Sequence, residues 1–354
     1  MKAVILIGGK GTRLRPLTCD APKPLLPVVN RPFLEYQFEI LRRHGIREVR
    51  LCTSYRPADF KNAFGNGRRL GMKLSYIHEK EPLGTGGAVR NASEGLNDTF
   101  LVLNGDVLNT LDITSFLKFH RKNRAEASLA LTRVKDPTLY GLVETAEDGR
   151  VKRFLEKPSW DEIVTNTINA GAYLFEPGVM KLIPPGVPHS LERSLFPQLL
   201  QGRSRMYGYV TPGYWIDIGT VEKYLQVHLD ILGGATPFPV PASKLRPGLA
   251  LGRKVKLGKN LTPAADGGKA ALGDGGTVGD FARFSGRVCV GPNGRIGKGA
   301  SLEDCVVLAG ARIGDGAQLK RCVVGPDCVI GANSIVSEGS ALAGGSEVRP
   351  FSLL

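Results

Sequence analysis

Apolar positions along the first 235 residues fall into two alternating patterns. Lys2–Ile7 is a nearly unbroken apolar run of strand length, and Glu48–Thr53 and Lys73–His78 read as further strands. Phe100–Leu103 is a short apolar strand that stops at Asn104-Gly105-Asp106. Phe33–His44 carries its apolar residues at helical spacing instead. Short strands alternating with helices predict an α/β domain with a mostly parallel sheet and helices on both faces. In such sheets ligands bind at the carboxyl ends of the strands. Those are the places where this sequence puts its glycine-rich and acidic turns.

After residue 240 the grammar changes. Of the 45 glycines in the chain, 22 lie in residues 241–354, and the only aromatics there are Phe281, Phe284 and Phe351. A conventional core needs more large side chains, so a repeat is the alternative to a flexible tail. Large apolar residues recur every six positions at Val278, Phe284, Val290, Ile296 and Leu302. After a slip of five come Val307, Ile313 and Leu319, and after a second slip Val324, Ile330, Val336, Leu342 and Val348. Two positions before each of these, from 284 onward, stands Gly, Ala, Ser or Cys, with Val288 the exception. Leu245, Leu251 and Leu257 suggest an earlier frame of the same period. The pattern resembles the hexapeptide repeat of left-handed parallel β-helices. The large residue then fills a triangular prism, the small one fits near a corner, and three hexapeptides make one coil, about four coils in all. Glycine after the apolar residue, as at Gly279, Gly291 and Gly314, is expected to ease the turn between faces. Cysteines in the small column are expected to be core fillers.

Length adds a two-domain prior, at ~150 residues per domain. The reading is a domain over 1–235, a linker over 236–247 through the Pro237–Pro247 stretch, and a β-helix over 248–354. The net charge is +14, but no Lys/Arg block of five occurs. Such a balance suits nucleic acid, an acidic membrane face or small polyanionic substrates. Basic residues spread in this way read first as a solvated surface, and neither a nucleic-acid nor a membrane partner is expected. No apolar run approaches the ~18 residues that span a bilayer. Ala3–Ile7 is too short for a signal-peptide core, so a cytoplasmic protein is expected. Six cysteines without a CxxC pair point to reduced thiols, neither a disulfide scaffold nor a zinc site.

The densest chemistry follows the first strand. Gly8-Gly9-Lys10-Gly11-Thr12-Arg13 opens a loop whose amides can approach phosphate oxygens, with Arg13 and, in Pro22-Lys23-Pro24, Lys23 as cations. Neither a dinucleotide fingerprint nor a P-loop matches, because Leu14 stands where the third glycine belongs. Loop cations in this number suit a triphosphate. With Glu81–Gly87, Asn104-Gly105-Asp106, Tyr140-Gly141, Glu156-Lys157-Pro158, Asn169-Ala170-Gly171 and Trp215–Thr220 in order, the chain resembles the sugar-1-phosphate nucleotidylyltransferases.

That resemblance implies a Rossmann-like catalytic fold and a reaction joining an NTP to a sugar 1-phosphate with release of pyrophosphate. It implies catalytic roles for Arg13 and Lys23 on the triphosphate and for Lys157 on the sugar phosphate. Gly8, Gly9, Gly11, Thr12, Glu79, Gly84 and Thr85 would bind nucleotide. Gly141, Glu156 and Asn169 would contact sugar hydroxyls, and Asp106 and Asp217 would hold one Mg²⁺. Such chemistry needs positioning and charge neutralisation more than a protein nucleophile. The five histidines form no ligand pattern, and no serine sits in a nucleophile elbow. A homo-oligomer built through the β-helix is expected, since open strand edges tend to be covered.

Glu79 bears on the base. Where related enzymes for other bases commonly have Gln, this chain has Glu, which offers only acceptors. Guanine presents two adjacent donors, so GTP is expected. The Glu-Pro-Leu-Gly-Thr segment looks most like mannose-1-phosphate and heptose-1-phosphate guanylyltransferases. Rivals are an enzyme making dTDP-, UDP- or ADP-sugars and a non-catalytic subunit that binds nucleotide sugar. A β-helix acyltransferase is disfavoured, because no histidine follows His228.

Overall fold

The apolar runs become the centre of a nine-stranded sheet. The computed structural model describes residues 1–264 and 267–354. They group into two units, Met1–Gly9 with Tyr36–Trp215 and Lys10–Glu35 with Ile216–Leu354. In the first unit the strands Phe100–Asn104, Ala3–Leu6, Glu48–Thr53 and Lys73–His78 lie side by side in that order, all parallel. Ala3–Leu6 pairs on both edges, and Ala3, Val4 and Ile5 are fully buried, which is why it reads as an unbroken apolar run.

Beyond Phe100–Asn104 the sheet is mixed. The strand Thr167–Phe175 runs antiparallel to Phe100–Asn104, to Ala127–Arg133 and to Gly141–Thr145. Gly141–Thr145 in turn closes a hairpin with Val151–Glu156. An antiparallel pair needs no crossover helix, and no α-helix separates Gly141–Thr145, Val151–Glu156 and Thr167–Phe175 in the sequence, although Ile113–Lys122 stands between Phe100–Asn104 and Ala127–Arg133. Phe100, Phe154, Tyr173, Phe175 and Phe196 pack ring against ring in the core beneath. Burying each such ring contributes roughly 1.5–3 kcal/mol.

In the second unit the hexapeptide pattern builds three parallel sheets. One contains Leu249–Leu251, Lys269–Leu272, Arg287–Val290, Val306–Val307, Val323–Val324 and Ala341–Leu342. The second runs from Lys256–Leu257 to Glu347–Val348, and the third from Arg283–Ser285 to Ile335–Val336. The large column visits the three in rotation and faces inward, buried from Val278 through Val336. The architecture is a parallel β-helix. Register partners Val278, Ile296, Ile313, Ile330 and Val348 stack on one face, so the two slips of five are coils one residue shorter than their neighbours. Cys305, Cys322 and Cys328 are buried in the small column, and all six cysteines are free.

Three details depart from the sequence reading. Leu245 is not an interior residue. It is 70 % exposed on Lys244–Arg246, an antiparallel edge strand formed inside the expected linker. The glycines after the apolar column have ordinary φ, so turning is not their purpose. A Cβ at Gly279, Gly291, Gly297, Gly314, Gly325 or Gly331 would come within 2.6 Å of the next coil's backbone. Lys10–Glu35, read as part of the first domain, groups with the β-helix unit. Among the described residues no helix is long and apolar enough to cross a membrane.

Candidate active site

The first unit carries the residues expected to meet base and sugar. The strand Phe100–Asn104 delivers Asp106 through a turn pressed onto the first strand. Gly105 N donates to Leu6 O at 2.9 Å, and a Cβ at Gly105 would fall 2.5 Å from Ile7 Cγ2. Only glycine fits there, which gives the Asn-Gly-Asp motif a physical reason. Gln37, buried on the helix Phe33–Arg43, brackets the same turn. Its Nε2 donates to Asn104 O at 2.8 Å and to Val107 O at 2.7 Å. Gly8 closes against Ser54, whose hydroxyl donates to Gly8 O at 2.8 Å, and Gly9 lies open.

Glu79 follows the strand Lys73–His78, with its amide donating to Thr53 O at 2.9 Å. The residue is only 7 % exposed. Burial pushes its carboxyl above the ordinary glutamate range, and the Leu83 amide, donating to the carboxylate, opposes that shift. Its Oε1 is buried and has no hydrogen-bond partner. A buried acceptor left unmade costs ~1–3 kcal/mol, so this oxygen is poised to gain from an incoming donor.

The helix Gly84–Ala92 begins five residues after Glu79. Gly86 N and Gly87 N donate to His189 O at 2.8 and 3.2 Å. The Thr85 hydroxyl donates to Glu192 Oε2 at 2.7 Å and accepts from Leu191 N at 2.9 Å. Thr85 is thereby committed to protein contacts. Gly141 and Glu156 are cross-strand partners, and a Cβ at Gly141 would sit 3.0 Å from Glu156 Oε2. Burial, and then the Glu192 charge, push the Glu156 carboxyl upward. Lys157 is exposed, and its backbone lies in the left-handed region at φ 54°. Its amide donates to Tyr140 O at 3.0 Å. Strain of this kind persists where surrounding structure over-determines it, often at functional sites. Asn169 uses its side chain internally, donating to the Tyr173 hydroxyl at 2.8 Å and accepting from Gly171 N at 3.0 Å.

The second unit carries the residues expected to handle phosphate. Gly11 caps the one-turn helix Thr12–Leu14, with Thr12 and Arg13 exposed on it. The Thr18 hydroxyl closes the loop onto Gly11 O at 2.8 Å. Lys23 is 7 % exposed, and its Nζ lies 3.6 Å from Asp217 Oδ1. Arg13 Nη1 and both Asp217 oxygens surround Gly219, each within 3.2 Å of where its Cβ would be. Arg13, Lys23 and Asp217 thus form one charged cluster, whereas Asp106 belongs to the other unit.

Sequence reasoning missed Gln37, His189, Ser190 and Glu192. Gln37 had a signal, a polar residue on the apolar stripe of its helix. The other three lie around a π-turn, Leu191–Leu195, for which the sequence has no marker. Among the described residues no group of three or more His, Cys, Asp or Glu is gathered for a metal. Mg²⁺ asks for less, since one or two carboxylates complete its shell with phosphate oxygens and water. Asp106 in the first unit and Asp217 in the second each supply a carboxylate of the kind that suits the ion.

Comparison with known proteins bears out the resemblance. Residues 2–233 match the Nucleotidyl transferase family and residues 268–352 the GMPPB C-terminal domain. The chain belongs to the nucleotidyl transferase family. It is 43 % identical over 310 residues to a mannose-1-phosphate guanylyltransferase of Mycobacterium tuberculosis, covering 87 % of this chain and 80 % of that one. It is 32 % identical to a UTP–glucose-1-phosphate uridylyltransferase of Synechocystis, over 87 % of this chain and 82 % of that one. Among solved structures, HddC from Yersinia pseudotuberculosis complexed with GMP-PN aligns with a TM-score of 0.56 at 30 % identity, covering 64 % of this chain and 97 % of HddC.

Proposed function

We propose that this sugar-1-phosphate nucleotidylyltransferase takes GTP and mannose 1-phosphate and releases GDP-mannose and pyrophosphate. A phosphate oxygen of the sugar 1-phosphate attacks the α-phosphorus of the nucleotide in line. The bond from that phosphorus to the β-phosphate oxygen breaks, and pyrophosphate leaves with the electron pair. No protein nucleophile is needed. Arg13 and Lys23 hold the triphosphate and neutralise the departing pyrophosphate, and Lys157 does the same for the sugar phosphate. Gly8, Gly9, Gly11 and Thr12 line the phosphates, and Gly84 and Thr85 shape the base side. Gly141, Glu156 and Asn169 set the sugar. Asp106 and Asp217 would hold Mg²⁺, which when bound offsets charge on the nucleotide phosphates.

Glu79 carries the choice of base. Its buried, unpartnered Oε1 sits beside an oxygen already served by Leu83. The N1–H and N2–H₂ of guanine would meet that carboxylate as charge-assisted donors and offset the upward push of burial. Uracil and thymine present one donor beside a carbonyl, which would face a carboxylate oxygen. The guanylyltransferase relative at 43 % identity supports the same reading, and mannose rests on relatives of that kind and not on the geometry.

Glu79→Gln tests the base assignment. The change keeps the shape but turns one acceptor into a donor facing a guanine donor. GTP efficiency, kcat/KM, should fall ~5- to 150-fold relative to UTP or dTTP, the equivalent of ~1–3 kcal/mol. The ratio cancels general damage to the site. A ratio that stays where it was means Glu79 does not read the base.

A further inference from the structure

Between the phosphate-handling residues and the first long helix runs a small hairpin, Pro27–Val28 paired with Arg31–Pro32. Its two tip residues, Val29 and Asn30, both have positive φ, 42° and 62°. A two-residue turn of that type normally takes Asn-Gly, because a β-branched residue resists the left-handed region. Strain of ~1–3 kcal/mol at Val29 needs something to hold it.

Contacts within the second unit hold it. The Tyr224 hydroxyl donates to Pro27 O, and Val29 N donates to His228 Nδ1 at 3.2 Å. Asn30 Nδ2 donates to Val290 O at 3.1 Å, and the Cys289 thiol approaches Asn30 Oδ1 at 3.7 Å. Tyr224 and His228 stand on the helix Val221–Leu232, which begins four residues after Asp217. Val290 and Cys289 belong to the β-helix strand Arg287–Val290. Lys23, ion-paired with Asp217, lies four residues before the hairpin.

We propose that Asn30 is a positioning residue for nucleotidyl transfer. It pins the hairpin tip to the β-helix and so fixes Lys23 and Arg13 against Asp217. The β-helix then does more than extend the chain, because one of its coils is part of the frame that aims the triphosphate cations. His228 makes the clamp insensitive to pH over the physiological range. Burial pushes its imidazole down to about 3, so the ring stays neutral, and the approach of the Val29 amide assigns Nδ1 as the acceptor. The kinetic half of this proposal rests on the roles given above to Arg13 and Lys23, and the structural half does not.

Asn30→Gly separates side chain from backbone, since glycine keeps the positive φ freely and removes both side-chain contacts. Asn30→Asp keeps the acceptor for Cys289 and loses the donor to Val290, and it serves as the second variant if Asn30→Gly folds poorly. Two readouts are taken on the full-length protein. Hydrogen exchange without substrate should be faster over residues 10–30 in either variant than in the wild type. Steady-state kinetics should show the KM for nucleotide raised, or kcat lowered, by ~10- to 100-fold, the scale expected for a small misplacement of catalytic groups. The KM for sugar 1-phosphate should stay within about twofold. Unchanged exchange overturns the clamp whatever the enzyme's substrates are. Faster exchange with unchanged kinetics, or with both KM values raised alike, overturns the positioning role. A wild type that turns over no nucleotide while exchange still responds faults the proposed function and leaves the clamp standing.

Discussion

At the residue scale, the site is built from side chains that the protein has already partly committed. Asp106 sits on a turn that only glycine can form and that Gln37 pins from both sides. Asp217 is close to Lys23, and both are largely buried. Asp106→Asn and Asp217→Asn should therefore behave alike in turnover. Each should lose most pyrophosphate release, since weakened metal charge stabilisation costs several kcal/mol. Asp217→Asn should also lower the melting temperature, because Lys23 is left as a buried charge without its carboxylate, a loss of ~3–5 kcal/mol for a buried pair. Near-normal turnover in either variant removes that residue from the metal site. The motif aspartates, lysines and glycines were legible because each stands in a short ordered signature. Thr85 and Asn169 were legible as motif members, but their commitment to Glu192 and Tyr173 was not. Those bonds join residues up to 107 positions apart, and no local pattern marks them.

At the scale of elements, the β-helix shows how much a period reveals. Both columns, both slips of five and the buried cysteines could be read directly, because one residue per hexapeptide faces the prism and burial repeats with it. The reason for the glycines could not. Their φ angles and the approach of the next coil depend on stacking, which spacing alone does not fix. Gly314 is a case, with a Cβ there 2.5 Å from Ala332 N. Gly314→Ala should lower the unfolding midpoint by the equivalent of ~1–3 kcal/mol, as overpacking does. Gly178, with ordinary φ and open space around its Cβ position, is the control, and Gly178→Ala should be near neutral. Equal midpoints for the two variants in urea would mean that coil spacing does not depend on glycine. In the catalytic part, the strands Glu48–Thr53 and Lys73–His78 matched the pattern residue for residue. The antiparallel run from Gly141–Thr145 through Val151–Glu156 to Thr167–Phe175 was hidden because its connections lack the α-helix that betrays a crossover.

For the whole molecule, contacts cross the division that composition suggests. Lys10–Glu35 joins the β-helix unit through contacts such as Asn30 to Val290, 260 positions apart. A chain reading that places the glycine-rich loop beside the first strand is right in sequence and incomplete in space. The β-helix also leaves strand edges and large apolar side chains exposed, among them Phe351 and Leu353 at 77 and 74 %. Edges of this kind are ordinarily covered. Self-association is the expected outcome, and light scattering at micromolar concentration should give a mass that is a multiple of 38.1 kDa. A mass of one chain would contradict it. The substrate pair is the central claim, and pyrophosphate release over GTP, UTP, dTTP, ATP and CTP, each with mannose, glucose and heptose 1-phosphates, tests it most directly. GTP with mannose 1-phosphate should give the highest kcat/KM. A higher value for UTP or dTTP with any of these sugars would contradict the guanylyl assignment, and a higher value for another sugar with GTP would leave the base standing and overturn mannose.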